Sequence, residues 1–295
     1  MQIFDSVIQP IALYGSEIWG PVSMHDYTKW DKHPTESLHA EFCRYILKVR
    51  PKTPNNACRA ELGRFPLALT IQKRSLKFWM HLNASPNNAL QFEALKTQEM
   101  NPEKSPLNQL VLKLTNTNKA QPSTASQTSI SVNKIMNERK EDYLEHWTKQ
   151  TTNQSRMNAY LTLNREYKLA EYLISVRDTK QRQILTKYRL SDHTLAIETG
   201  RQRKTWLPKD KRICGHCEAE RVETEVHFLL YCKKYEDVRK IFFPKFQNIY
   251  PNFERLPEAE RMAIILGEGL SPDLAAQYVL ACHKMRDSSH SNIQM

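Results

Sequence analysis

The chain reads as an all-α protein of two helical units, and three observations say so. Glycine is scarce, 7 of 295 residues, roughly a third of average usage, which disfavours turn-rich β architecture. Apolar residues recur at three- and four-residue spacing in one stretch after another, the period of a helix with one buried face. Between two such regions, NTNKAQPSTASQTSIS is rich in Ser, Thr, Asn and Gln, with almost no large apolar residue after Leu114, as in a flexible linker. The expected organisation is a helical unit over 1–100, a linker over 101–133 and a second helical domain over 134–295.

Taken in order, Ile3, Phe4, Val7, Ile8, Ile11 and Ala12 follow helical spacing, with Pro10 set to kink or restart the helix and Gly15 and Gly20-Pro21 to break it. A clearer helix starts at Thr35, with Leu38, Phe42, Tyr45, Ile46 and Val49 as its apolar face and Arg50-Pro51 as its stop. A short helix over 55–62 ends at Gly63, and Pro66 opens another containing Leu67, Ile71, Leu76, Phe78, Trp79 and Leu82. Helical patterning returns at Lys134, with Ile135, Met136, Tyr143, Leu144 and Trp147, then Tyr160, Leu161, Leu169, Tyr172, Leu173 and Val176. Two further helices are expected over 257–266 and 271–285.

The longest apolar runs, FLLY and MAIIL, fall well short of the roughly 20 residues that span a bilayer. The first residues lack the basic region and cleavage site of a secretory signal. Six cysteines in such a chain fit a reducing, intracellular compartment, nucleus or cytoplasm, with no membrane partner. The net charge of +11 and pI near 9.3 favour an acidic partner, nucleic acid first.

One stretch carries chemistry rather than packing. Cys214 and Cys217 are separated by two residues, and His227 and Cys232 by four. Three thiolates and an imidazole suit a zinc ion, which is borderline soft and takes four such ligands tetrahedrally. A two-residue gap makes a tight knuckle, with Gly215 offering backbone freedom, and Thr224 or Glu223 can open a short helix that carries His227 and ends at Cys232. With all four positions filled by protein, such a site is structural and leaves none for water or substrate. Small buried thiols, or a disulfide between Cys214 and Cys217, are the other readings of the same residues. Cys43, Cys58 and Cys282 read as plain buried thiols.

The basic excess concentrates here: residues 177–245 hold 17 Lys and Arg against 10 Asp and Glu. Arg201, Arg203, Lys204, Lys209, Lys211 and Arg212 precede the first ligand, interleaved with Trp206, and Lys233 and Lys234 follow the last. Cations that neutralise phosphates beside an aromatic that stacks on an unpaired base make a nucleic-acid surface; solvated charges over a core tryptophan are the plainer alternative.

The string IALYGSEIWGP, with Leu13, Tyr14, Gly15, Glu17 and Trp19, resembles the segment just past the polymerase core of non-LTR (LINE-type) retrotransposon reverse transcriptases. The strings over 60–82 and 185–201 and the Cys-Cys-His-Cys stretch resemble the same family in the same order. The chain has no paired aspartates of the kind that hold two magnesium ions for polymerisation, nor an acidic and histidine constellation of the family's endonuclease. The resemblance therefore implies a carboxy-terminal region, thumb-like helices plus a zinc-binding tail, with no catalytic residues. It also implies nucleic-acid binding, to element RNA or target DNA, and association with a full-length element protein. A protein-interaction module stapled by zinc, or a relic without function, are the rival readings of the chain.

Overall fold

The structure is a computed structural model, and it describes residues 2–22, 27–87, 89–115, 131–154, 156–157, 160–164, 166–202, 204 and 206–291. About 70% of the described residues are helical, and among them no strand or sheet forms; two isolated antiparallel bridges, Leu62 with Leu169 and Ile213 with Val222, are their β pairing. The chain is all-α, as its composition and periodicity require.

It divides into two compact units, neither continuous in sequence: Met1–Cys43 with Phe65–Gln150, and Arg44–Arg64 with Thr151–Met295. The boundaries expected near 100 and 133 are therefore redrawn. The stretch expected as a linker over 101–133 is in part helical, because Pro106–Thr115 forms a helix whose Leu110, Val111 and Leu114 pack with Leu76 and Ile135 in a buried cluster. Most of the polar segment, 116–130, lies outside the described residues.

In the first unit, the backbone runs as a π-helix over Phe4–Ile8 and changes to an α-helix over Gln9–Ala12 with Pro10 in its first turn, where a missing N–H is tolerated. Gly15 then takes φ +65°, a left-handed conformation that only glycine adopts freely. The turn lets the Trp19 indole N–H donate to the Tyr14 carbonyl at 2.9 Å. Leu13 is buried while Tyr14 is exposed, so the Leu-Tyr-Gly turn ties itself together locally. Gly20 lies so close to Ile71 that a Cβ would sit 2.2 Å from its methyl group, which seats this turn on the long helix Leu67–Asn83.

The helix Pro34–Leu47 starts one residue before the expected Thr35, but its inward face differs. Leu38, Tyr45 and Ile46 are exposed, and Glu36, His39, Ala40 and Cys43 are buried. Polar chemistry decided the rotation. Glu36 Oε1 accepts the Ala68 backbone N–H at 2.7 Å, placing a carboxylate at the N-terminus of Leu67–Asn83, where unpaired N–H groups and the helix dipole both favour it. His39 stacks on Phe4 at 5.5 Å, and Phe4 on Phe42 at 4.1 Å.

The second unit closes around a buried arginine. Arg189, at the end of the helix Thr179–Arg189, donates through Nε to Glu61 at 2.6 Å and through Nη1 to the Leu266 carbonyl at 2.6 Å, with Glu268 2.8 Å away. Glu61 also accepts the Tyr160 hydroxyl at 2.8 Å. A charge this deep is tolerated only when paired and hydrogen-bonded. Through it the short helix Asn55–Glu61 joins the later chain, helped by Ala170 N–H to the Glu61 carbonyl and Asn164 to the Ala60 carbonyl. Gly63, at φ +61°, meets Leu169 so closely that a Cβ would lie 2.6 Å from its backbone nitrogen. The helices Glu236–Ile249, Glu258–Ile265 and Pro272–Ser291 complete the unit, the last two close to where periodicity puts them. One large apolar core runs through these helices and reaches Cys214, Phe228, Leu229 and Cys232.

Candidate metal centre

Residues 212–223 form a tight hairpin. Cys214 N–H donates to the Arg221 carbonyl and Glu223 N–H to the Arg212 carbonyl, both at 2.9 Å, flanking the Ile213–Val222 bridge. The left-handed residue of this hairpin is Glu220, at φ 47°. Gly215 is not in that region, and a Cβ there would meet nothing within 4 Å. Glycine at 215 is thus not demanded by the turn, contrary to expectation. The second ligand pair sits on a single π-turn, His227–Tyr231, with Cys232 at its C-terminal end. Thr224 Oγ1 accepts the His227 backbone N–H at 3.1 Å, starting that turn as a capping hydroxyl does. Tyr278 donates its hydroxyl to the Leu229 carbonyl, fixing the turn against the core.

These two pieces bring the four donors together. Cys214, Cys217, His227 and Cys232 offer ligand atoms all within 4.8 Å of one another. Cys214 Sγ lies 3.8 Å from Cys232 Sγ, and Cys217 Sγ 3.4 Å from His227 Nε2. A disulfide needs sulfurs about 2.05 Å apart, and none of the six cysteines is in a disulfide, which excludes the bridge. His227 Nδ1 is buried with no hydrogen-bond partner, so the ring is aimed by packing and presents Nε2 to the cluster. Four such atoms can hold a metal ion.

Burial pushes the Cys214 thiol up to about 12 and raises Cys232 for the same reason, while it lowers His227. An apolar pocket thus favours the neutral forms; a bound cation reverses this for the thiols, since ligation needs thiolates.

The surroundings hold charges that the sequence did not point to. Arg286, from the last helix, binds the Glu223 carboxylate through both Nη atoms, Nη2 at 3.1 Å. Glu223 also accepts the Ala196 N–H at 2.6 Å and sits 3.9 Å from Cys214 Sγ. Arg239 donates to the Cys232 carbonyl at 2.6 Å. Of the two expected helix openers, Thr224 caps the turn and Glu223 is instead an anion beside the donors, held by an arginine 63 positions away. No local pattern announces such a pair.

The expected nucleic-acid contacts differ in exposure. Lys204, Lys209, Lys211, Lys233 and Lys234 are exposed, and Trp206 is 64% exposed, so Trp206 is not a core anchor. Arg212 is a correction: it is buried, and its guanidinium donates to the Leu207 and Ile197 carbonyls at 2.9 Å each. It packs so tightly under Gly200 that a Cβ there would lie 2.8 Å from its side chain. Arg212 pins the loop bearing Trp206 to the hairpin and is not available to phosphate. Arg201 is half-buried, with Nε 2.9 Å from Glu198. Arg203 lies outside the described residues.

Comparison with protein-family profiles, curated proteins and solved structures returns no match. No helix among the described residues is long and apolar enough to cross a membrane.

Proposed function

We propose that the four donors hold one structural zinc ion and that the zinc-stapled unit binds single-stranded nucleic acid. The donor spacing supports zinc. Zinc–sulfur bonds of about 2.3 Å and zinc–nitrogen bonds of about 2.05 Å at the tetrahedral angle put sulfurs about 3.8 Å apart and sulfur and nitrogen about 3.6 Å apart. Here the Cys214 and Cys232 sulfurs are 3.8 Å apart, and Cys217 Sγ lies 3.4 Å from His227 Nε2. Cys214, Cys217 and Cys232 would supply thiolates and His227 Nε2 the fourth ligand, closing the shell against water. Zinc there supplies folding energy and no reaction step: in finger peptides metal binding contributes about 10–16 kcal/mol, more than a typical domain's whole stability.

The observation that carries the binding reading is Trp206, a large aromatic left open to solvent, with exposed Lys204, Lys209 and Lys211 close to it in sequence and Arg212 bonded to the carbonyl of the next residue, Leu207. An exposed indole beside exposed ammonium groups is the arrangement that stacks a base while phosphates are neutralised. The resemblance to the carboxy-terminal region of LINE-type reverse transcriptases agrees with this reading and suggests element RNA or target DNA as the ligand. On this reading the chain has no polymerase or nuclease activity of its own. The test is fluorescence anisotropy with a labelled single-stranded oligonucleotide and the zinc-loaded protein, at several salt concentrations and with RNA competition. Salt-insensitive binding, or none, rejects the nucleic-acid reading and favours a protein-interaction module.

A further inference from the structure

A cleft in the second unit gathers basic side chains that the metal centre does not use. Its volume is about 610 Å³, and its walls include Arg50, Lys52, Arg156, Arg201, Glu198 and Gln202. Arg50, Lys52 and Arg156 lie far from the knuckle in sequence, and nothing in local composition groups them with it.

The three arginines are positioned from behind. Arg50 Nε donates to Asp192 at 2.6 Å, its backbone N–H to the same carboxylate at 2.9 Å and its Nη2 to the His193 carbonyl at 3.3 Å. Arg156 donates Nη1 to the Lys52 carbonyl at 3.2 Å and Nη2 to the Ser191 carbonyl at 2.5 Å. Glu198 lies between Arg156 and Arg201, with one oxygen 2.9 Å from each Nε. Guanidinium groups fixed in this way have already lost rotamer freedom, so a ligand meets them without paying to order them.

The charges do not cancel. Asp192 is buried behind Arg50 and Glu198 is shared by two arginines, while Lys52 is exposed and makes no ion pair among the described residues. A network serving only the fold has no use for the extra ammonium at its mouth. Cations in excess on a concave wall, forks fixed and an exposed lysine at the rim, suit phosphate oxygens.

Two of the cleft residues, Arg201 and Gln202, also lie on the segment that carries the proposed base-stacking residue. Arg201 and Gln202 start the loop that leads to Lys204 and Trp206, and Leu207 N–H returns to the Gly200 carbonyl at 2.9 Å. Arg212, bonded to the carbonyls of both Ile197 and Leu207, holds the two ends of this segment together.

We propose that this cleft seats phosphodiester groups of the same nucleic-acid strand that stacks on Trp206, a reading that rests on the nucleic-acid function proposed above. Arg50, Arg156 and Arg201 form its fixed wall and Lys52 its adjustable contact.

The experiment uses the full, zinc-loaded chain and measures affinity for a labelled single-stranded 20-mer at 50 and 200 mM salt. Each phosphate contact to a single strand contributes about 0.7 to the slope of log K against log salt, so a fourfold rise in salt weakens binding about 2.6-fold per contact. Lys52→Gln should shrink the salt effect by about that factor, and Lys52→Gln with Arg201→Gln by about sevenfold. Arg156 still answers Glu198 in the double variant, and Lys52→Gln leaves no buried group unpaired, so folding is preserved. Lys52→Arg should keep the parental slope. Lys204→Gln with Lys211→Gln, beside Trp206, serves as the reference. If that reference pair flattens the slope and the Lys52 variants do not, the cleft proposal is overturned while the binding function stands. If the parent protein binds no nucleic acid, both fall.

Discussion

Replacing Arg286 by Met removes the partner of a carboxylate that sits beside the metal donors. A Cys3His site with a divalent ion carries one net negative charge, and Glu223 places another 3.9 Å from Cys214 Sγ. At that distance two unit charges repel by about 4 kcal/mol at the effective dielectric of a partly buried site. Arg286 now offsets this through both Nη atoms, with both side chains almost fully buried. Removing one member of a buried pair generally destabilises by about 3–5 kcal/mol, and loss of an outer-shell partner weakens metal binding about 10- to 100-fold. Arg286→Met should therefore lower zinc affinity by one to two orders of magnitude in competition with a chromophoric chelator. Glu223→Gln in the same chain should recover most of that loss, because the uncompensated charge is then gone. Parental zinc affinity in Arg286→Met, or no recovery in the double variant, would refute the charge reasoning.

Cys217→Ser or His227→Ala should leave less than stoichiometric zinc by elemental analysis and a second unit with lost near-ultraviolet dichroism, since three ligands leave the tetrahedron open. Arg189→Met strands the buried Glu61 carboxylate and should destabilise by about 3–5 kcal/mol, read as a lower urea midpoint at unchanged slope. Glu61→Gln added to it should return part of the difference. Trp206→Ala should weaken oligonucleotide binding by about 1–3 kcal/mol with the salt slope intact and, because the residue is exposed, without changing the unfolding midpoint. Purified protein with magnesium should not extend a primed template; extension would show catalytic carboxylates that the sequence does not reveal.

The parts of the molecule legible in sequence are those set by local physics. Scarce glycine and 3.6-residue periodicity announce the helices, Pro66 and Gly63 mark their ends, and ligand spacing alone picks out Cys214, Cys217, His227 and Cys232. What periodicity could not reach is polar and long-range. The helix at 34–47 turns its inner face toward Glu36 and His39 because Glu36 caps a helix 32 residues away, so apolar Leu38 and Tyr45 were misleading guides. The helix at 106–115 hid beside a polar tract that drew the expected linker over it. Residues 44–64 belong with the second unit through Glu61–Arg189 and Arg50–Asp192, pairs more than a hundred residues apart. Arg212 illustrates the same limit at the site: in sequence it is one more cation before the knuckle, and in the fold its guanidinium is bonded to two carbonyls.

The most direct measurement is the salt dependence of single-stranded oligonucleotide binding by the zinc-loaded chain, set against a variant with Lys204, Lys209, Lys211 and Lys233 changed to Gln. These side chains are exposed and make no ion pair among the described residues, so zinc content and stability should be unchanged. Up to four lost phosphate contacts should flatten the slope of log K against log salt by as much as about 2.8 and weaken binding at low salt. Parental affinity with the parental slope would contradict a nucleic-acid surface beside the metal centre.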